Sequence, residues 1–201
     1  ALLATIVAAS DAYAIPALQV YIPGATYDVA TETWIVGGSD FTVWVVAAEP
    51  MYNVSLTVSL GPDEDPFAGS VDVGGTVYTG ADFTNGAHPL LAPHGIFPTD
   101  YVDHAIGNLT AGTDPIADFT NGYVHGVTPL NKLGTIAMID ISITGFQTVH
   151  FDAWGYNASG QFKFAPFSHD GGTAIPEPTT ALLFALGAAG VGASRFRRKK
   201  S

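Results

Sequence analysis

The chain has 201 residues, no cysteine and a formal charge of −11, and five of its seven cations lie in the last seven positions. From Ile15 to Ala174 sixteen acids therefore face only Lys132 and Lys163, a formal charge of −14. Such a body repels a phosphate backbone, which excludes nucleic acid as a partner, and the missing thiols exclude cysteine catalysis, Cys-ligated zinc and a disulfide scaffold. Its length suits one domain of about 150 to 170 residues with short appendages. Gly, Thr, Ser, Asp and Asn are plentiful while Glu, Lys and Arg are sparse outside the tail, which favours strands over exposed helices.

In chain order, residues 1–14 come first. An apolar run from Leu2 to Ala9 leads through Ser10-Asp11 to Ala12-Tyr13-Ala14, the h-region and A-x-A site of a secretory signal cut after Ala14. The competing reading is a first β-strand, weakened by the Ala-rich run and by Pro16. Candidate strands then follow at 19–22 (QVYI), 27–36 (YDVATETWIV) and 41–47 (FTVWVVA). The last is apolar on both faces, as a central strand should be. Residues 53–61 alternate strictly: Val54, Leu56, Val58 and Leu60 face one way, and Ser55, Thr57 and Ser59 the other. That pattern predicts a half-solvated antiparallel strand.

The acidic run Asp63-Glu64-Asp65 sits in a Gly- and Pro-flanked loop. Clustered carboxylates there offer oxygen ligands for Ca²⁺, although the run lacks the order of an EF-hand loop and equally reads as a solvated acidic turn. A strand follows at 75–79 (GTVYT). The hexapeptide ADFTNG occurs at 81–86 and again at 117–122, each copy followed by a His and a Pro-Leu pair. Two copies make no solenoid. They are two similar turns or a pair of matching loops forming one recognition site. Residues 89–101, rich in proline, read as a surface excursion. Ile139, Ile141 and Ile143 alternate with Asp140, Ser142 and Thr144, and residues 148–156 run through Asn157–Gly160 into 161–164, a hairpin.

Aromatic residues are numerous. Most belong to a core, but Trp154 and Tyr156, flanking Gly155 near the hairpin turn, are expected to face outward and to stack on sugar. The histidines, His88, His94, His104, His125, His150 and His169, are dispersed and form no metal-ligand spacing. Asp100 and His104 lie four apart, within reach of each other on a turn. His150 and Asp152 share one face of a predicted strand, which equally reads as an exposed polar face. No G-x-S-x-G elbow is present, and paired glycosidase carboxylates cannot be picked out among so many aspartates. The expectation is a protein that is not an enzyme.

The chain closes with Pro176-Glu177-Pro178, an apolar run to Ser194, and the basic cluster Arg195, Arg197, Arg198, Lys199 and Lys200. Sixteen residues from Thr179 span about 24 Å as a helix, short of a hydrocarbon core of about 30 Å. The run has no polar face for a domain helix, and the cluster orients it with the basic end cytoplasmic. This order of parts resembles a PEP-CTERM sorting signal. The resemblance implies an exported bacterial protein cleaved near Pro176, Glu177 and Pro178 by an exosortase-type membrane enzyme. Residues 149–173, above all Ala165–Asp170, are similar to exported proteins grouped as choice-of-anchor, N type. That likeness implies a β-rich ectodomain and transfers no catalytic residue.

The expected architecture is all-β: a β-sandwich or jelly-roll-like antiparallel domain over 15–174, with one short C-terminal transmembrane helix inside the sorting signal of 175–201. The expected role is a structural, non-catalytic component of the cell envelope or extracellular matrix. It would be tethered to the inner membrane before processing and reach the surface or matrix afterwards. Its partners would be the processing enzyme, the membrane through the C-terminal helix, and exopolysaccharide, with no cofactor unless Ca²⁺ binds at Asp63-Glu64-Asp65. A carbohydrate- or calcium-binding adhesion module is the alternative class, and an envelope hydrolase a remote third.

Overall fold

The computed structural model describes residues 15–91 and 99–175. The expected signal remnant of 1–14, the Pro-Glu-Pro triplet, the apolar run and the basic cluster lie outside the described residues. Among the described residues no helix is long and apolar enough to cross a membrane.

The fold is all-β. Its strands are β1 (Leu18–Tyr21), β2 (Thr26–Asp28), β3 (Thr33–Val36), β4 (Asp40–Ala47), β5 (Met51–Leu60), β6 (Ser70–Val73) and β7 (Thr76–Thr79). Then come β8 (Thr84–Asn85), β9 (Asp100–Leu109), β10 (Asp114–Ile116), β11 (Lys132–Thr144), β12 (Val149–Asn157), β13 (Phe162–Phe164) and β14 (Asp170–Thr173). Sheet one runs β1-β4-β11-β6-β7, with β10 added beside β11. Sheet two runs β2-β3-β14-β12-β5-β9-β8, with β13 added beside β12. Every pairing is antiparallel except β14 with β3.

The two sheets share one apolar core because the period-two pattern puts one set of side chains from each strand on the same side. Val20 of β1, Val43 and Val45 of β4 and Ile141 of β11 meet Leu56 and Val58 of β5 and Phe151 of β12, all buried. β14 threads this core closely: a Cβ on Gly171 would come within 2.9 Å of Ile22 Cδ1, so the position admits no larger residue without displacement. The turn before β12 needs glycine for both reasons at once. Gly145 has φ of +80°, and a Cβ there would sit 2.3 Å from the Ala68 carbonyl oxygen.

Several expectations need correcting. The alternating strand at 53–61 is not half-solvated: Ser55, Thr57 and Ser59 are all buried, because chain packs over the outer face of sheet two as well. The stretch 27–36 is two strands, broken where Asp28 accepts hydrogen bonds from Ala30 N and Thr31 Oγ1 and Glu32 takes φ of +55°. The excursion at 89–101 is not all surface loop, since Leu91 is fully buried and Asp100 and Tyr101 open β9. The two ADFTNG copies fold differently. The first enters a 3₁₀ turn (Gly80–Asp82) and then β8. The second bends across sheet one, with a turn closed by Tyr123 N to the Thr120 carbonyl oxygen at 2.9 Å. They pack against different clusters, so they form no matched pair of loops.

The second copy builds a cluster of its own on the outer face of sheet one. Phe119 stacks on Tyr21 with ring centroids 4.7 Å apart, and Trp34, Trp44 and Tyr123 meet Tyr21 edge-on. Three hydrogen bonds fix the segment. The fully buried Gln19 amide donates to the Ala117 carbonyl oxygen at 3.2 Å and accepts from Phe119 N at 2.7 Å, and Trp34 Nε1 donates to the Phe119 carbonyl oxygen at 2.9 Å. Burial and the neighbouring Tyr123 push the Tyr21 hydroxyl up to about 12.

Candidate functional site

The outer face of sheet two carries the chain's most unusual chemistry. Residues directly opposite each other on neighbouring strands share a face, so register alone sets Ser59 beside His150 and Thr57 beside Asp152. It likewise sets Thr57 beside Asp103. β14 brings in Asp170, which sequence reading did not connect with this face.

His150, Asp152 and Asp170 form a compact triad. His150 Nε2 lies 3.3 Å from Asp152 Oδ2 and 3.7 Å from Asp170 Oδ2. Asp152 and Asp170 are 1% and 0% exposed, and the His150 side chain 13%. Burial opposes charge on the imidazole, but the adjoining Asp152 and Asp170 carboxylates outweigh it and push His150 up to about 10. Among the described residues this is the one group of three His, Asp or Glu side chains whose ligand atoms converge, all within 4.8 Å of one another.

The neighbouring network is of a different kind. His88, 1% exposed, takes hydrogen bonds on Nδ1 from Leu90 N and Leu91 N, so its Nε2 donates to Asp103 Oδ2 at 3.1 Å. Asp103 Oδ1 also accepts from Thr57 Oγ1 at 2.5 Å and from Trp154 Nε1 at 3.3 Å. Burial raises the Asp103 carboxyl, yet the hydrogen bonds from His88 and Thr57 and the Trp154 contact together hold it below the ordinary carboxylate value. Every polar atom named here has a partner, as a stable buried network requires.

Ser59, His150 and Asp152 also have the composition of a hydrolase triad but not its geometry. A catalytic histidine meets the nucleophile through one ring nitrogen and the orienting carboxylate through the other. Here both carboxylates gather on Nε2, and Ser59 Oγ is fully buried with no hydrogen-bond partner.

The residues singled out from sequence separate. Trp154 and Tyr156 do lie on the outer face, half-buried in a strip with Phe162 and Phe164 at centroid spacings of 5.8 to 6.4 Å. Asp63, Glu64 and Asp65 do not converge. Glu64 Oε1 accepts from Gln147 N and Thr148 N, clamping the turn before β12, and Asp65 Oδ1 caps Phe67 N. Asp100 and His104 are both on β9 rather than a turn, where four residues span about 13 Å. Asp100 accepts from Asn85 Nδ2, and His104 Nδ1 meets Tyr78 Oη. A cavity of about 590 Å³ opens over sheet one beside Asp40, Asp72 and Asp140. Those carboxylates are engaged by Ser142, by Gly75 N and by Thr42 respectively.

Residues 174–199 match the PEP-CTERM protein-sorting motif. The chain carries an exosortase sorting signal. It is therefore an exported protein, and its sorting signal starts at the residue after β14 ends. Comparison of the whole chain with curated proteins and with solved structures found no match.

Proposed function

We propose that this protein is a non-catalytic surface component of the bacterial envelope, a choice-of-anchor-type β-sandwich ectodomain delivered by its C-terminal signal. The observation that carries the reading is the sorting motif placed directly behind the last strand of the body. In this reading the apolar run holds the exported chain in the inner membrane while the processing enzyme acts at Pro176-Glu177-Pro178. The acidic body then remains at the surface or in the matrix. Intact mass of the mature protein from its native host tests this. A species ending between Ile175 and Pro178 is expected, and a terminus at Ser201 on the surface-exposed protein overturns processing.

The adhesion reading has one observation in its favour. Trp154, Tyr156, Phe162 and Phe164 form a continuous aromatic strip, and Tyr52 lies opposite Tyr156 on β5. Phe164 and Tyr52 are 38% and 36% exposed, flat apolar surface of the kind that stacks on sugar rings. Retention on immobilised exopolysaccharide from the host, lost in Tyr52→Ala and Phe164→Ala, is the expected result. Passage of the wild-type protein through that matrix without delay removes the reading.

A further inference from the structure

The buried triad on sheet two brings one imidazole nitrogen and two carboxylates together, the one convergent set of His, Asp and Glu ligand atoms among the described residues. One divalent cation with two carboxylates and a neutral imidazole leaves no net charge.

The two distances from His150 Nε2 suit such an ion. Two bonds of 2.0 to 2.1 Å at a tetrahedral angle place their donor atoms about 3.3 Å apart, and His150 Nε2 stands 3.3 and 3.7 Å from the two carboxylate oxygens. Ser59 gives a second, independent indication. It is 0% exposed, its Oγ has no hydrogen-bond partner, and it lies directly across from His150 on the same face. A buried hydroxyl without a partner costs about 1–3 kcal/mol, so its position calls for a polar group that protein atoms do not supply. His150 also lines an opening of about 270 Å³ walled by Leu60, Pro62, Thr148 and Phe167.

We propose that His150, Asp152 and Asp170 bind one divalent transition-metal ion of the zinc class, with Ser59 Oγ hydrogen-bonded to a water in its fourth position. One nitrogen and two oxygens suit Zn²⁺, whereas Ca²⁺ and Mg²⁺ prefer oxygen ligands alone. The ion joins β12 to β14. Its role is structural, holding the last strand of the body in place, and it does not depend on the sorting or adhesion readings.

The test uses the full chain, stripped with chelator and titrated with ZnCl₂ alone. One equivalent binds, and at a hundredfold excess over Kd the melting temperature rises by about 5–10 °C, reversed by chelator. Co²⁺ in place of Zn²⁺ gives the intense visible band of a four-coordinate site, a readout independent of stability. His150→Ala and Asp170→Asn lose both responses, while the exposed His125→Ala keeps them. Ser59→Ala guards against misfolding of those variants: without metal it melts at or above wild type, yet its Zn²⁺ affinity falls severalfold. Absence of a Zn²⁺-dependent shift in the wild type, a Co²⁺ band that survives His150→Ala, or unchanged affinity in Ser59→Ala overturns the assignment.

Discussion

Each sheet has an outer face that the chain covers, and the two covers are built from opposite materials. Over sheet one lies an aromatic cluster, Tyr21, Trp34, Phe119 and Tyr123, joined by the uncharged Gln19 amide. Over sheet two lie His88, Asp103, Thr57 and the triad of His150, Asp152 and Asp170. The first arrangement is self-sufficient, since aromatic burial is favourable without a specific partner. The second holds together only if each charge is answered, which makes it the place to look for a ligand.

The sharpest way to break this contrast is Phe119→Ala. It removes the ring at the centre of the aromatic cover and should lower unfolding free energy by about 3–5 kcal/mol, measured by denaturant titration. A loss below about 1 kcal/mol would mean the cover contributes little to the fold. Asp103→Asn should cost less, about 1–3 kcal/mol, and its deficit should depend on pH. Because the folded Asp103 carboxyl is depressed, its contribution is complete above the ordinary carboxylate pKa of about 3.9 and disappears as pH falls through the lower folded value. The gap between variant and wild type is therefore constant from pH 5 to 7 and closes below about pH 4. A gap that widens toward acid contradicts the assigned network. The smallest effect belongs to Phe164→Ala at the exposed end of the aromatic strip, within about 0.5 kcal/mol of wild type. That neutrality is what makes it a clean probe of polysaccharide retention.

Much of the fold was legible because alternation reports directly on which face is buried. β1, β4, β5, β7 and β11 and the β12–β13 hairpin all fall where the sequence pattern puts them. The sorting signal was readable for a different reason: its parts are contiguous, so no folding is needed to bring them together. The site was only half legible. His150 and Asp152 are two apart and visibly on one face, but Asp170 joins them through β14, which pairs antiparallel with β12 and parallel with β3. Nothing local announces such a pairing. The alternation of Ser55, Thr57 and Ser59 misled because polar residues on a strand report the absence of a greasy partner, not the presence of water. Asp63, Glu64 and Asp65 read from composition either as a ligand set or as a solvated acidic turn. The structure shows Glu64 and Asp65 instead holding backbone amides, a use of carboxylates that leaves no mark on composition.

The position of β14 has a mechanical consequence. It lies between β3 and β12, and the chain stays tied just beyond it, with Ala174 N bonded to the Val36 carbonyl oxygen and Ile175 N to that of Gln147. Any load arriving through the sorting signal is therefore transmitted along an interior strand bonded on both sides. Its ladders must yield together in shear; an edge strand would peel one bond at a time. A domain held by its C-terminal end is thus attached through a part of its fold suited to resist being pulled.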